Sequence, residues 1–353
     1  MSELEVEDAE ERSILDGSLA NKLVGGVLFG ILVYSGIVFW LGADQFSAAL
    51  EDFPLWLIPA ACGLSFANYA LRFLKWERYR SLLGIELDRR TSWLIYLAGF
   101  SMGVTPGKMG EVLKSWLIRR VTGTPIHRSA PIVVAERFTD LVGYLLLVAI
   151  GGIATVPEYQ WIFWATLALC LVGLALAGSQ RFAKLSTRAL AKTPFLWRLA
   201  GRVEGSFESV RLLLSPREIV FPTLLSTVSW GLECAGFWLL ANGVADQPVS
   251  FLFCVFAYAF SAVAGAILII FPGGLGITEG LLGTLLRREL QPGIDPNLPT
   301  EVAVEVARGQ AASATILARL CTLWFGVLVG LIALAIFKRR FGARPSDDES
   351  DRA

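Results

Sequence analysis

The sequence predicts an all-α, polytopic membrane protein built as an inverted repeat of span, span, re-entrant hairpin and span. Three observations predict it. Hydrophobic residues make up 54% of the 353-residue chain and charged residues 18%, with a mean hydropathy of +0.58, far from the balance of a soluble domain. Apolar stretches of membrane-crossing length recur from the first fifty residues to the last fifty. A Pro-Gly phrase also occurs in each half: Pro106-Gly107-Lys108-Met109-Gly110 followed by Glu111, and Pro272-Gly273-Gly274-Leu275-Gly276 followed by Glu279. Hydrocarbon tolerates broken backbone only where it is buried in protein or lines a wet cavity. Paired breaks in two halves point to a site between internal repeats.

In chain order, the first apolar run, 23–41, follows an acidic N-terminus rather than a basic one, so it reads as a retained span, not a cleaved signal. Further runs cover 55–71, 93–104, 132–156, 161–177, 220–240, 251–271 and 315–337. The run 93–104 is half a span and leads straight into the first Pro-Gly phrase. Basic residues choose the orientation. Arg72, Lys75, Arg78, Arg80, Arg89 and Arg90 follow the second run; Lys114, Arg119, Arg120 and Arg128 follow the first phrase; Lys338, Arg339 and Arg340 close the last run. Segments 42–53, 157–160 and 242–250 contain no Lys or Arg. With the basic clusters inside, 91–120 has both ends in the cytoplasm and becomes a re-entrant hairpin. For the last span to end inside, 251–286 must also return to its own side, although 251–271 is long enough to cross fully and that alternative stays open.

The expected organisation is therefore an acidic disordered tail (1–20), a first membrane repeat (21–157), a second (158–340) with a cytoplasmic joint at 180–217, and a second disordered tail (341–353). Apolar residues in the joint alternate with cations, as in helices lying on a membrane surface or in an ordinary cytoplasmic helical loop. Both termini are expected in the cytoplasm and the protein in the plasma membrane.

Charge inside such a chain is expensive, roughly 2.5–3.5 kcal/mol at the bilayer centre on insertion scales. Glu136, Arg137 and Asp140 interrupt the run 132–156, with spacings that place them on one helix side. Arg319 interrupts the last run and needs a partner on another element, for which Glu279 or a bound anion would serve. It reads as the second-half counterpart of Arg137. Glu233 stands alone in 220–240 and reads as a protonated, helix-bonded side chain. A half-helix starting after each Pro-Gly phrase would point free N–H groups and its positive dipole end inward, where phosphate binds. Glycine lets a head group approach the backbone. The candidate head-group residues are Gly107, Lys108, Gly110, Glu111, Glu136, Arg137, Asp140, Gly273, Gly274, Gly276, Glu279 and Arg319. Catalytic residues, metal ligands, cofactors and nucleic-acid features are not indicated: His127 is the one histidine, and Cys62, Cys170, Cys234, Cys254 and Cys321 are scattered singly in apolar sequence.

The stretches 72–79 (RFLKWERY), 105–120 (TPGKMGEVLKSWLIRR), 136–140 (ERFTD) and 271–279 (FPGGLGITE), with Ala318-Arg319-Leu320, resemble the membrane domain of the lysylphosphatidylglycerol synthase family, also described as flippase-like integral membrane proteins. The resemblance implies a lipid-translocating membrane domain. The soluble aminoacyl transferase domain of some relatives does not fit here, because the 180–217 joint is too short to hold one. The expected function is a transporter or flippase of an anionic or lipid-linked head group: a phospholipid, an aminoacyl-phospholipid or a polyprenyl-phosphate sugar. The expected substrate partner is a membrane lipid. Two alternatives use the same residues: an intramembrane lipid-modifying transferase, or a scaffold for a separate lipid-modifying or glycosylation enzyme.

Overall fold

The computed structural model describes residues 50–104, 110–155, 206–267, 274–291 and 297–341, apart from the side chains at 110–112, 153–154 and 267, and a few isolated positions elsewhere. The expected span 23–41, most of the span 161–177, Cys170, most of the joint, both tails, Pro106–Met109 of the first Pro-Gly phrase and Pro272-Gly273 of the second lie outside them. Within the described residues all regular structure is helical.

The first half supplies α1 (Leu57–Leu82), α2 (Arg89–Ala98) with a 3-10 turn at Gly99–Met102, α3 (Gly110–Thr122) and α4 (Ile126–Thr155). The second supplies α5 (Pro216–Val244), α6 (Phe251–Ile267), α7 (Ile277–Leu290) and α8 (Thr300–Arg319), which continues through a π-helical turn at Leu320–Trp324 into α9 (Phe325–Phe341). Each half therefore reads long, short, short, long, with a Pro-Gly phrase between its two short helices. At 1.5 Å per residue α2, of 10 residues, reaches only about 15 Å and α3, of 13, about 20 Å. Neither covers the ~30 Å hydrocarbon thickness. The helices Leu57–Leu82, Pro216–Val244 and the continuous Thr300–Phe341 are long and apolar enough to cross a membrane.

Local signals account for the element ends. Asp88 caps α2, accepting the Arg90 and Thr91 N–H groups at 2.9 and 3.1 Å. Hydrogen bonds from Thr91 hold this exposed carboxyl below its ordinary range. Ser215 precedes Pro216 at the first turn of α5, where a missing N–H costs nothing. Gly84 and Gly123 end α1 and α3 in the left-handed region, φ 64° and 73°.

The helices are apolar on their outer faces and bury polar groups among an otherwise apolar core. Trp56, Phe66, Val134, Ile150, Leu224, Val228, Leu328 and Ile332 are exposed, whereas Ser65, Asn68, Arg72, Lys75, Glu136, Asp140, Ser226, Ser229 and Glu233 are buried. Lipid tails solvate the apolar exterior as well as a protein core would, so inward polar groups hold the helices together by hydrogen bonds and packing.

The contacts between elements reciprocate. In the middle α1 packs on α5. The short helix α2 lies against α9 of the other half, and α6 lies against α4. Within the halves α3 packs on α4 and α7 on α8, while α1–α4 is matched by α5–α8. Both cross-half contacts use glycine where backbones nearly touch. A Cβ at Gly151 would meet the Leu252 carbonyl oxygen at 2.5 Å and the Phe256 nitrogen at 2.7 Å, and one at Gly330 would overlap the Ser101 nitrogen.

Three expectations need correction. The second span does not end near residue 71: α1 runs on to Leu82, so Arg72 and Lys75 sit within a helix and are buried, 3% and 0% exposed. Lys114, counted with the loop cations, is buried on α3. An apolar run ends at its first charge, but a helix ends only where its backbone bonds do, and inward-facing charges let it continue. The last helix begins at Thr300, ahead of the apolar run 315–337. From the joint, 206–213 is helical, with Val210, Leu213 and Leu214 buried in the cluster that contains Tyr79, Leu117 and Ile132. Four of the cysteines carry free thiols, three of them buried, in keeping with packing residues.

Candidate functional site

The central feature is an ion cluster assembled from four helices. Asp140, in the middle of α4, accepts Arg72 Nη2 at 3.0 Å and Lys75 Nζ at 2.6 Å, both from α1. Ser226 of α5 donates to the same carboxylate at 2.9 Å and lies 2.8 Å from Lys75 Nζ. Thr139 Oγ1, 3.2 Å away, accepts another Lys75 proton. One turn earlier on α4, Glu136 accepts Lys114 Nζ of α3 at 2.5 Å. Arg137 forms a looser ion pair with Asp140, 3.7 Å, and its side chain is 37% exposed. Aromatic faces cradle the cations: Arg72 lies 4.5 Å from the Trp230 ring centre, and Lys114 4.8 Å from that of Trp76 and 5.7 Å from that of Tyr96.

Among the described residues, in their ordinary ionised forms, four cations (Arg72, Lys75, Lys114, Arg137) face two carboxylates (Glu136, Asp140), a surplus of positive charge in a region where charge is costly. Several polar atoms of the same region have no hydrogen-bond partner among the described residues: Glu136 Oε1, Arg72 Nε, Tyr96 Oη and Asn68 Oδ1. Each such atom carries a desolvation cost of roughly 1–3 kcal/mol that a water or ligand would relieve.

The second half has a different centre. Glu279 in the first turn of α7 accepts the Gly276 N–H at 2.7 Å through Oε2 and Arg319 Nε at 2.7 Å through Oε1. Both side chains are buried, and the carboxylate occupies the positive end of the half-helix. Gly274 and Gly276 have φ of 70° and 87°, which favour glycine. Gly274 also lies so close to Gly265 of α6 that a side chain would meet its backbone at 3.3 Å. The partner anticipated for Arg319 is thus Glu279, and the second phrase carries a closed ion pair where the described residues of the first half carry more cations than carboxylates.

Of the candidate residues, Glu136, Arg137 and Asp140 join the central cluster; Gly274, Gly276, Glu279 and Arg319 form the second centre. Gly110 and Glu111 open α3, with their side chains outside the described residues, as are Gly107, Lys108 and Gly273 altogether. Arg319 is not the equivalent of Arg137. Arg137 lies in the first half of α4 and pairs within its own helix, whereas Arg319 is the last residue of α8 and pairs with α7. Glu233 is not helix-bonded either: Tyr258 Oη of α6 donates to its Oε2 at 2.7 Å. Arg72, Lys75, Lys114, Trp76, Tyr96 and Tyr258 were not among the candidates. The first two were legible as members of an inward stripe, with Ser65, Asn68, Arg72, Lys75 and Tyr79 at helical spacing in α1.

A helical membrane protein with a charged, cation-rich interior is the class that this fold and site define. Residues 27–330 match the family model described as the lysylphosphatidylglycerol synthase TM region, and the chain belongs to that family. It is similar to two proteins of Methanothermobacter thermautotrophicus named UPF0104 membrane protein. One is 19% identical, over 88% of this chain and 94% of the relative; the other is 24% identical, over 77% and 86%.

Proposed function

We propose that this protein moves a lipid with a phosphate-bearing head group across its membrane. The observation that carries the reading is the surplus of cations, among the described residues, around Asp140 and Glu136, bordered by polar atoms without a partner there. A phosphate brings the negative charge and the acceptor oxygens that such a cluster lacks, and a cation in a poorly hydrated pocket attracts it more strongly than in water. Arg137, 37% exposed and 3.7 Å from Asp140, is the cation best suited to reach it, and Lys114 sits on Glu136, whose second oxygen has no partner among the described residues. Arg72 and Lys75 hold Asp140 in place from α1. The family description names the TM region of a lipid synthase, which supports a lipid as the occupant.

The reciprocal packing of the halves supports an inverted repeat, with α2–α3 and α6–α7 as re-entrant hairpins on opposite faces. Rocking of one half on the other about the α1–α5 contact would then open the cluster to either leaflet. The plasma membrane is the setting that this reading favours, with the basic ends of α3 and α9 inside.

The test is protein-dependent exchange of fluorescent phosphatidylglycerol between leaflets of reconstituted vesicles. Exchange is expected in the native protein and to fall at least about tenfold in Lys114→Gln or Arg137→Gln. Absence of movement of any anionic lipid by well-folded native protein would overturn the proposal.

A further inference from the structure

Glu233 differs from every other buried carboxylate described above. Asp140, Glu136 and Glu279 each have a Lys or Arg nitrogen within 4 Å, whereas among the described residues Glu233 has only the Tyr258 phenol at 2.7 Å. It is 5% exposed and lies on α5, which packs on α1, α4, α6 and α8. Within electrostatic reach of it lie Tyr69 and Arg72 on α1, Asp140 and Tyr144 on α4, Tyr258 on α6, and Arg319, paired with Glu279, on α8; Cys234 adjoins it on α5.

Its surroundings suit either protonation state. A phenol donates to a carboxylate and accepts from a carboxylic acid, so Tyr258 satisfies Glu233 whether or not it carries a proton. A polar stripe reaches it from the cluster. Ser226 touches Lys75 and Asp140, the Ser229 carbonyl accepts from Asn68 Nδ2 at 2.8 Å, and Ser226, Ser229 and Glu233 share one face of α5 by their spacing. Asn68 Oδ1 beside that stripe has no protein partner, a place for water to complete the path.

We propose that Glu233 is a proton-binding site coupled to anion occupancy of the cation cluster, so that a proton accompanies the head group. This deepens the translocation reading and rests on it for the coupling, though not for the proton site itself. When an anion takes up the field of Arg72 and its neighbours, less of that field stabilises the Glu233 carboxylate. The carboxylate then takes one proton from the aqueous phase to give the acid, and returns it when the anion leaves. By linkage, protonation tightens anion binding by the same factor.

Infrared spectroscopy of the purified full chain in lipid nanodiscs tests this. A protonated-carboxyl stretching band is expected to titrate with pH, to vanish in Glu233→Gln, and to shift in Tyr258→Phe. Exchanging neutral nanodisc lipid for phosphatidylglycerol should move its midpoint upward, with uptake of about one proton per protein in weak buffer. An unchanged band in a folded Glu233→Gln variant overturns the proposal; so does a midpoint indifferent to phosphatidylglycerol. If Glu233→Gln does not fold, Tyr258→Phe decides, and a band unmoved by it is equally fatal. A band that titrates, responds to the anionic lipid and depends on Glu233, in a protein that moves no lipid between leaflets, leaves the proton site standing and removes the translocation reading.

Discussion

Lys114 illustrates how one buried side chain is held by several weak terms. Its ammonium group contacts Glu136 at 2.5 Å and lies over the ring of Trp76, with Tyr96 behind. Trp76 is in turn fixed by donating Nε1–H to Ser92 at 3.0 Å, and Ser92 donates to Glu77. Breaking a buried pair from one side leaves an uncompensated charge and costs about 3–5 kcal/mol, whereas removing both partners costs less. Lys114→Gln is therefore expected to lower thermal stability in detergent by that order, and Lys114→Gln with Glu136→Gln to recover much of it. A double-mutant cycle with no coupling between the two positions would contradict the pairing. Asp140→Asn is expected to be worse than Glu136→Gln, because Asp140 answers Arg72, Lys75 and Arg137 together. Yield of monodisperse protein compares the two. Asp140 and Glu136 were readable as costly intramembrane charges. Their cation partners on α1 and α3 were not, because residues 22 to 68 positions away in sequence leave no local trace of a pair.

At the scale of elements, helix contacts set by small residues make sharper predictions than apolar ones. Gly151 lies where α4 crosses α6, and an added methyl would sit 2.5 Å from backbone. Gly151→Ala is expected to lose about 1–3 kcal/mol by overpacking, read as a lower unfolding temperature in detergent. Gly330→Ala should behave alike where α9 meets the 3-10 turn after α2. Gly63 in α1 has nothing within 4 Å of its would-be Cβ, so Gly63→Ala is the control expected to be neutral or slightly stabilising. Equal effects at all three positions would contradict the crossings. The π-helical turn at Leu320–Trp324 belongs to the same scale. Within it the Thr322 carbonyl accepts a hydrogen bond from Tyr69 Oη of α1 at 2.9 Å. Helix types and most helix centres were legible from apolar periods and breakers. The ends of α1 and the start of α8 were not, since both continue through charged or polar residues whose orientation only the packing sets.

For the whole molecule the orientation of the first hairpin is the decisive quantity. Glu86 and Arg128 are exposed and flank the α2–α3 pair, while Gln247 is exposed between α5 and α6. With native cysteines replaced, cysteines at 86 and 128 are expected to label from the cytoplasmic side alone and a cysteine at 247 from outside alone. Labelling of 86 and 128 from opposite faces would remove the re-entrant hairpin and the inverted repeat together.

Composition and patterning by themselves determined that this chain is a helical membrane protein, that its helices break at two Pro-Gly phrases, and that Glu136, Asp140, Glu279 and Arg319 are charges needing partners. These are properties of short windows, governed by transfer energy and backbone sterics. Only the tertiary structure decided which charges meet. It drew Arg72, Lys75 and Lys114 out of the apparent loops into the interior, closed Arg319 onto Glu279, and left Glu233 with a phenol. Pairing energy depends on distances of a few ångströms between segments far apart in sequence, and such distances exist only once the helices have packed.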